Sequence, residues 1–292
     1  MSRIEMHTPH SMDELLELLG RMGDRPYRYI AGGTDVLLEM RRKPEAGQVL
    51  INLYRVEGQG FREIRNEGRS WWIGAGVNIS KLAANPEIAR NFPVLHQSAL
   101  HLASPQIRNL ATVGGNACTA SPSGDVSCAL AALDAVAVAI DAKGRRRRMH
   151  HDAFYLGPRK TALRSDECLL GFEWEANSPS LKIARSQYVK VGTRMSMECS
   201  VVSFASHLLV DEAGCFRFCG VAIGAVAPTI RRTEDACRLL EGKNMGRISE
   251  QDALAFADAV AASASPISDL RASAWYRDRV LRNLAYETIS TP

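Results

Sequence analysis

The amino-acid sequence predicts an α+β fold in three units, and three observations carry that reading. Short strand and helix patterns alternate at the N-terminal end. A hairpin signature, a block of helices and two apolar strands follow. Beyond Asn177-Ser178-Pro179-Ser180, which reads as a linker, long strands come first and helices last. The boundaries fall at 1–55, 56–176 and 177–292.

Ser11-Met12-Asp13-Glu14 opens the first helix as a capping box, in which Ser11 and Glu14 each satisfy the other's free amide. Leu15, Leu18 and Leu19 form its apolar face and Gly23 ends it. A strand is expected over 27–30, a helix over 36–40 and a strand over 48–53. In the second unit, strands over 61–66 and 71–74 flank Glu67-Gly68-Arg69, the turn of a hairpin. Helices over 80–84, 93–102 and 126–133 and strands over 135–140 and 168–174 complete it, with a loop over 112–125. The third unit has strands over 187–191, 201–210 and 216–226, then helices over 233–240, 250–262 and 272–286.

With 46% apolar and 23% charged residues in 292, the chain can bury a sizeable core and needs no disordered tract. A formal charge of +4 is too small for a nucleic-acid binder, and the run Arg145 to Arg148 reads as an exposed strand or a rim that meets a partner. There is neither a secretory signal nor an apolar run of membrane-spanning length. Seven cysteines, odd in number and scattered, fit reduced thiols and a cytoplasmic location. Cys215 and Cys219 share one face of a strand about 13 Å apart, which suits buried strand thiols rather than a metal site. No iron–sulfur or zinc site is expected on this chain.

Two segments carry chemistry. Ala31-Gly32-Gly33-Thr34-Asp35 lies between a strand and a helix, where glycines let the backbone approach a ligand and free amides favour a phosphate. Leu110-Ala111-Thr112-Val113-Gly114-Gly115-Asn116 repeats the pattern, and Ser121 to Asp125 adds hydroxyls and a carboxylate. Together they suit the two phosphates of one dinucleotide, with Asp125 accepting from a ribityl or ribose hydroxyl. Two similar segments are set aside. Gly74-Ala75-Gly76-Val77-Asn78-Ile79 lacks the third glycine of the dinucleotide fingerprint and follows a hairpin, and Gly242-Lys243-Asn244 is not a P-loop.

These runs, with Gln106 to Asn109, Lys190-Val191-Gly192-Thr193-Arg194, Gly224 to Thr229 and Trp275-Tyr276-Arg277, resemble the FAD-binding (medium) subunit of the molybdenum hydroxylases. That family includes xanthine, carbon monoxide and nicotinate dehydrogenases. The resemblance covers nearly the whole chain, in the family's order and spacing. It departs at Glu198-Cys199 and at Ile230, and the cysteine-rich insertion of benzoyl-CoA-type relatives is missing.

The resemblance implies a vanillyl-alcohol-oxidase (PCMH) type fold. FAD-binding subdomain 1 (1–55) and subdomain 2 (56–176) hold an extended, non-covalent FAD, and 177–292 forms a C-terminal domain of antiparallel strands and helices. It assigns Tyr29, Ile30, Ala31, Gly32, Gly33, Thr34, Asp35 and Val36 to one diphosphate clamp and Ala111, Thr112, Gly115 and Asn116 to the other. It places Leu102 and Ala103 beside the flavin, has Cys118, Thr119 and Asp125 line the cofactor, and sets Leu169 and Lys190 at the ring. Leu102 and Leu169 equally suit a core position, and Lys190 a solvated strand. Molybdopterin and 2Fe-2S clusters belong, on this resemblance, to a large and a small partner subunit. This chain would take their electrons and deliver them to NAD+ or another acceptor, so no catalytic residue is assigned and His150-His151 read as turn residues. A stand-alone flavoenzyme and a non-enzymatic flavin-binding protein are the rival readings.

Overall fold

The computed structural model describes residues 4–23, 25–43, 47–194 and 197–290. In chain order the helices are α1 (Met12–Met22), α2 (Val36–Arg42), α3 (Ile79–Ala83), α4 (Pro86–Asn91), α5 (Pro93–His101), α6 (Pro105–Leu110), α7 (Val113–Cys118), α8 (Asp125–Ala132), α9 (His151–Phe154), α10 (Glu234–Arg238), α11 (Glu250–Ala262) and α12 (Ala274–Ser290). None is long and apolar enough to cross a membrane among the described residues. The chain divides into two compact units. The first comprises Met1–Leu82, Ser104–Thr119 and Val136–Ala176; the second comprises Ala83–Ala103, Ala120–Ala135 and Asn177–Pro292.

The first unit holds two sheets. Strands β1 (Glu5–His7), β2 (Arg28–Ile30) and β3 (Val49–Asn52) form a parallel sheet in the order β1-β3-β2. Met12, Leu15, Leu18, Leu19 and Met22 are the buried face of α1, and Gly23 ends it at φ 51°. Ser11 caps this helix by accepting from the Glu14 amide, but the Glu14 carboxylate takes the amide of His10 rather than that of Ser11. The expected reciprocal box is therefore displaced by one residue on one side.

Strands β4 (Ile64–Asn66), β5 (Ser70–Gly74), β6 (Val136–Asp141), β7 (Arg146–Met149) and β10 (Glu167–Glu175) form an antiparallel sheet in the order β4-β5-β10-β6-β7. The β4–β5 hairpin turns at Gly68, φ 81°, whose amide donates to Asn66 Oδ1. Trp71 and Trp174 face each other across β5 and β10 and stack at 6.4 Å. Arg146 to Arg148 of the arginine run lie in the edge strand β7 and Arg145 just precedes it, and each arginine already has an acceptor within this unit. Arg145 binds Asp141, Arg146 binds Gln59, Arg147 binds Glu167 through two nitrogens, and Arg148 binds Glu173. The short strands β8 (Tyr155–Gly157) and β9 (Lys160–Thr161) pair with each other. Of the two histidines expected in a turn, His150 caps α9 and His151 is its buried first residue.

The second unit is built on the antiparallel sheet of β11 (Lys182–Val191), β12 (Val202–Val210), β13 (Phe216–Gly224) and β14 (Arg231–Arg232), in that order. Phe204, Phe216, Phe256 and Leu281 are among its fully buried side chains, each contributing roughly 2–3 kcal/mol. Strand β12 is buried nearly end to end rather than alternating, because helices pack against both of its faces. Helix α8 is buried over its whole length, and at Gly220 of β13 a Cβ would lie 1.8 Å from the Ala132 carbonyl oxygen. The buried Arg277 ties two of the segments singled out above together: its guanidinium donates to the carbonyls of Val201 and Ala225 and to Asp269. Cys215 and Cys219 are half-buried: Cys215 precedes β13, and Cys219, within it, packs against the margin of the core. All seven cysteines are free thiols.

His207, at the centre of β12, links a chain of polar groups. The Val94 amide donates to Ser186 Oγ, and Ser186 and His207 Nδ1 lie 2.9 Å apart. His207 Nε2 lies 3.2 Å from Asn177 Oδ1, and Asn177 Nδ2 donates to the Asn91 carbonyl. Burial pushes the imidazole down to about 4, so the folded protein holds it neutral. An unfolded histidine binds its proton below pH about 6.5. The stability this group confers is therefore complete above that pH and is lost as pH falls from there towards 4, by about 1.4 kcal/mol per pH unit. Denaturant melts across that window should show a shallower acid-side loss for His207→Gln than for the wild type; parallel profiles would mean that the imidazole already titrates in the folded state.

Candidate functional site

Strand β2 delivers the chain to the first glycine turn, and α2 leaves it. Gly33 has φ 69°, a conformation that favours glycine. At Gly32 a Cβ would lie 2.0 Å from the Leu110 carbonyl oxygen, so only a residue without a side chain fits. Asp35 caps α2 without a side-chain hydrogen bond to its amides. Among the described residues, no acceptor meets the backbone N–H groups of Gly32, Gly33, Thr34 and Asp35. They form a donor-rich turn suited to an anion.

The second glycine turn is helical rather than a loop. Thr112 caps α7 by accepting from the Gly115 amide at 3.0 Å. Before it, α6 runs across Gln106 to Asn109, capped by Ser104. The segment set aside as a failed fingerprint, 74–79, is what holds this turn in place. Gly114 N donates to Ala75 O at 2.8 Å, Val113 N to Val77 O at 2.9 Å and Ile79 N to Ala111 O at 2.9 Å. Asn78 Nδ2 donates to the Asn109 carbonyl at 2.7 Å. Its glycines are there for packing: a Cβ at Gly74 would meet the backbone of Gly60 and Phe61, and one at Gly76 the Phe61 ring.

Within the first unit, then, the two glycine turns lie side by side, joined where Gly32 abuts Leu110. Thr119 Oγ1 donates to the Gly115 carbonyl at 2.9 Å and also faces Asp35 Oδ2 at 3.4 Å. Arg159, from the β8–β9 turn at φ 60°, contacts the same Asp35 oxygen at 3.3 Å and also pairs with Glu39. Sequence reasoning missed Arg159, and nothing in its local pattern marks it. Tyr29 donates its hydroxyl to the Glu167 carbonyl at 3.2 Å, and burial pushes that hydroxyl well above its ordinary range. Leu169 is buried in β10, where the register against β6 shifts between Leu169 and Gly171. Cys118, the last residue of α7, is exposed.

Leu102, Ala103, Asp125 and Lys190 belong to the second unit. Leu102 is buried, and Ala103 has the strained φ of 43°. Asp125, at the first turn of α8, is buried and accepts from the Tyr188 hydroxyl at 2.6 Å and from Lys190 Nζ at 3.0 Å. Burial pushes this carboxyl up; Lys190 and Tyr188 pull it down. Lys190 is not a solvated lysine: its side chain is 10% exposed, and its ammonium also reaches the His101 carbonyl at 3.4 Å. Tyr188 was not singled out from the sequence. The period of two along a strand puts it on the same face as Lys190, and that signal was available. Among the described residues no group of His, Cys, Asp and Glu could hold a metal ion.

Comparison with known proteins agrees with this geometry. Residues 2–173 match the model of the FAD binding domain in molybdopterin dehydrogenase, and residues 187–291 match that of the CO dehydrogenase flavoprotein C-terminal domain. The chain is 30% identical to the carbon monoxide dehydrogenase medium chain of Hydrogenophaga pseudoflava, over 94% of this chain and 92% of that protein. It is 33% identical to the nicotinate dehydrogenase FAD-subunit of Eubacterium barkeri, over 73% and 71%. Among solved structures, carbon monoxide dehydrogenase from Hydrogenophaga pseudoflava superposes with a TM-score of 0.87 at 29% identity, covering 99% of this chain and 96% of that one. The α+β fold, with a PCMH-type FAD-binding domain followed by a sheet-and-helix C-terminal domain, is thereby established.

The contact at Gly32 yields a direct test. Gly32→Ala should cost the purified chain its FAD, because the added methyl meets backbone that has no room to yield. Gly20→Ala, in the last turn of α1 with nothing within 4 Å, should keep FAD and gain up to roughly 0.5–1 kcal/mol of stability. Flavin absorbance per chain and thermal melting read both; a fully loaded Gly32→Ala protein would show that the turns do not need this contact.

Proposed function

The chain belongs to the FAD-binding family of the molybdopterin dehydrogenases, and from that premise we propose that it is the electron-transfer subunit of a molybdenum-containing dehydrogenase. In this reading it receives electrons from 2Fe-2S clusters on a small partner subunit. A large partner carries the molybdenum cofactor and acts on the organic substrate, and the electrons pass to NAD+ or another acceptor. The single observation that carries the reading is the side-by-side placement of the two glycine turns within the matched domain.

The residues present fit FAD. The first turn, 29–36, offers unclaimed amides and a glycine in the left-handed region. Ala111, Thr112, Gly115 and Asn116 supply the second clamp, with the Thr112 oxygen fixing the Gly115 amide. Cys118, Thr119 and Leu169, in the same unit, are assigned to the cofactor's lining by the resemblance. Leu102, Ala103, Asp125 and Lys190 are assigned to the flavin's surroundings by the resemblance, Lys190 as a buried cation paired with Asp125. Bound there without a covalent link, FAD supplies the exchange of single electrons for an electron pair. The protein's part is to grip the diphosphate, exclude water and set fixed charges. The seven free thiols suit the reducing cytoplasm, where we place the complex.

A test separates the two half-reactions. In the assembled complex, Gly115→Val with Asn116→Ala should remove the flavin and abolish reduction of the natural acceptor. Substrate oxidation with an artificial acceptor that draws electrons upstream should persist, with unchanged substrate preference. The ratio of the two activities is compared with wild type, after sizing shows the complex intact. Equal loss of both would falsify the relay and favour a stand-alone flavoenzyme.

A further inference from the structure

Asp35 closes the first glycine turn and starts α2. An aspartate at the start of a helix ordinarily turns its carboxylate back onto nearby backbone amides. This one makes no such bond. Its Oδ2 instead meets the Arg159 guanidinium at 3.3 Å and Thr119 Oγ1 at 3.4 Å. The Thr119 hydroxyl also donates to the Gly115 carbonyl, at the shorter distance of 2.9 Å, so the charged Arg159 is the stronger partner of the carboxylate. Glu39, one turn along α2, pairs with Arg159 too, and it has a second cation in Arg28 of β2. If Arg159 is removed, Glu39 keeps Arg28, whereas Asp35 keeps no cation among the described residues. All of these residues belong to the first unit.

We infer that Arg159 is a positioning residue: its guanidinium holds the Asp35 carboxylate off the first glycine turn, so that the amides of residues 32–35 stay open to a phosphate of FAD. The inference rests on the reading that this turn grips the diphosphate. Those four amides meet no acceptor among the described residues. A carboxylate released beside them acts in two ways. It is a competing acceptor already attached to the turn, and it is a like charge next to the phosphate. The side chains of Arg159 and Asp35 are 54% and 48% exposed, so their pairing adds little to the stability of the fold. Arg159 makes it from φ 60°, a region in which an arginine is strained. A pair that does little for the fold, yet is held from a strained backbone position, fits a role towards the ligand of the turn.

The experiment titrates FAD into the flavin-free full chain and reads the dissociation constant from flavin fluorescence, with thermal melts to show that each variant is folded. Arg159→Asn removes the charge and suits the positive φ, and it should weaken FAD binding by roughly fivefold. Asp35→Asn should bind FAD more tightly than the wild type, because the turn then carries no competing anion. In the Asp35→Asn background, Arg159→Asn should cost much less than it does in the wild type, since no carboxylate is left to release. An equal loss in both backgrounds overturns the inference, because Arg159 would then act on the phosphate by itself. So does an Asp35→Asn protein that binds FAD more weakly than the wild type, because the carboxylate would then support binding rather than oppose it. Gly32→Ala separates this inference from the reading beneath it. If Gly32→Ala loses affinity and Arg159→Asn does not, the clamp stands and Arg159 has no part in it. If neither loses affinity, the first turn is not the clamp, and the inference falls with that reading.

Discussion

The first unit depends on one contact between backbones, that of Gly32 with Leu110. With a Cβ at 2.0 Å from a carbonyl oxygen, no other residue is tolerated there without moving one of the two segments. Neither segment is free to move. The first is fixed by β2 and its parallel partner β3. The second is fixed by hydrogen bonds between 109–114 and 75–79. The glycines at 74, 76 and 114 follow from the same constraint, because three lengths of backbone are stacked too closely for side chains between them. The ligand-facing glycines and the packing glycines therefore form one system, although only the former belong to the clamps.

The second unit is governed by a different constraint, the burial of polar groups. Asp125 and Lys190 neutralise each other, and Tyr188 takes up a remaining acceptor site. His207 is kept neutral between Ser186 and Asn177. Arg277 is 3% exposed and donates to two carbonyls and to Asp269. Each is a group whose unpaired burial would cost several kcal/mol, and each ties helices or loops to the sheet at a defined place. The segments near 190, 225 and 277 are tied to the unit by these contacts.

The relation between these residues and function is one of division of labour. Donor groups that can face an anion are concentrated in the first glycine turn of the first unit, where the amides of 32–35 lack acceptors among the described residues. A buried pair of opposite charges, Asp125 and Lys190, lies in the second. Such an arrangement suits a protein that holds and tunes a redox cofactor and leaves bond-making to other centres.

Much of this was legible along the chain. The hairpin at Gly68, the face of α1, the long strands of the second unit and both glycine turns follow from local period and turn chemistry, which act over a few residues. The helix α7 was not, because its six residues include two glycines and gain stability from the Thr112 cap and from packing on β5 and β10. The place of 74–79 was not legible either. Its glycines imitate a nucleotide turn, and only the packed structure shows that they face Gly60 and Phe61. The sequence by itself determined which backbone could approach a phosphate, since that depends on residues lacking a side chain. The tertiary structure decided which backbone each of those glycines meets and which buried carboxylate is paired with a lysine and a tyrosine, because close approach and burial arise only when distant segments are packed together.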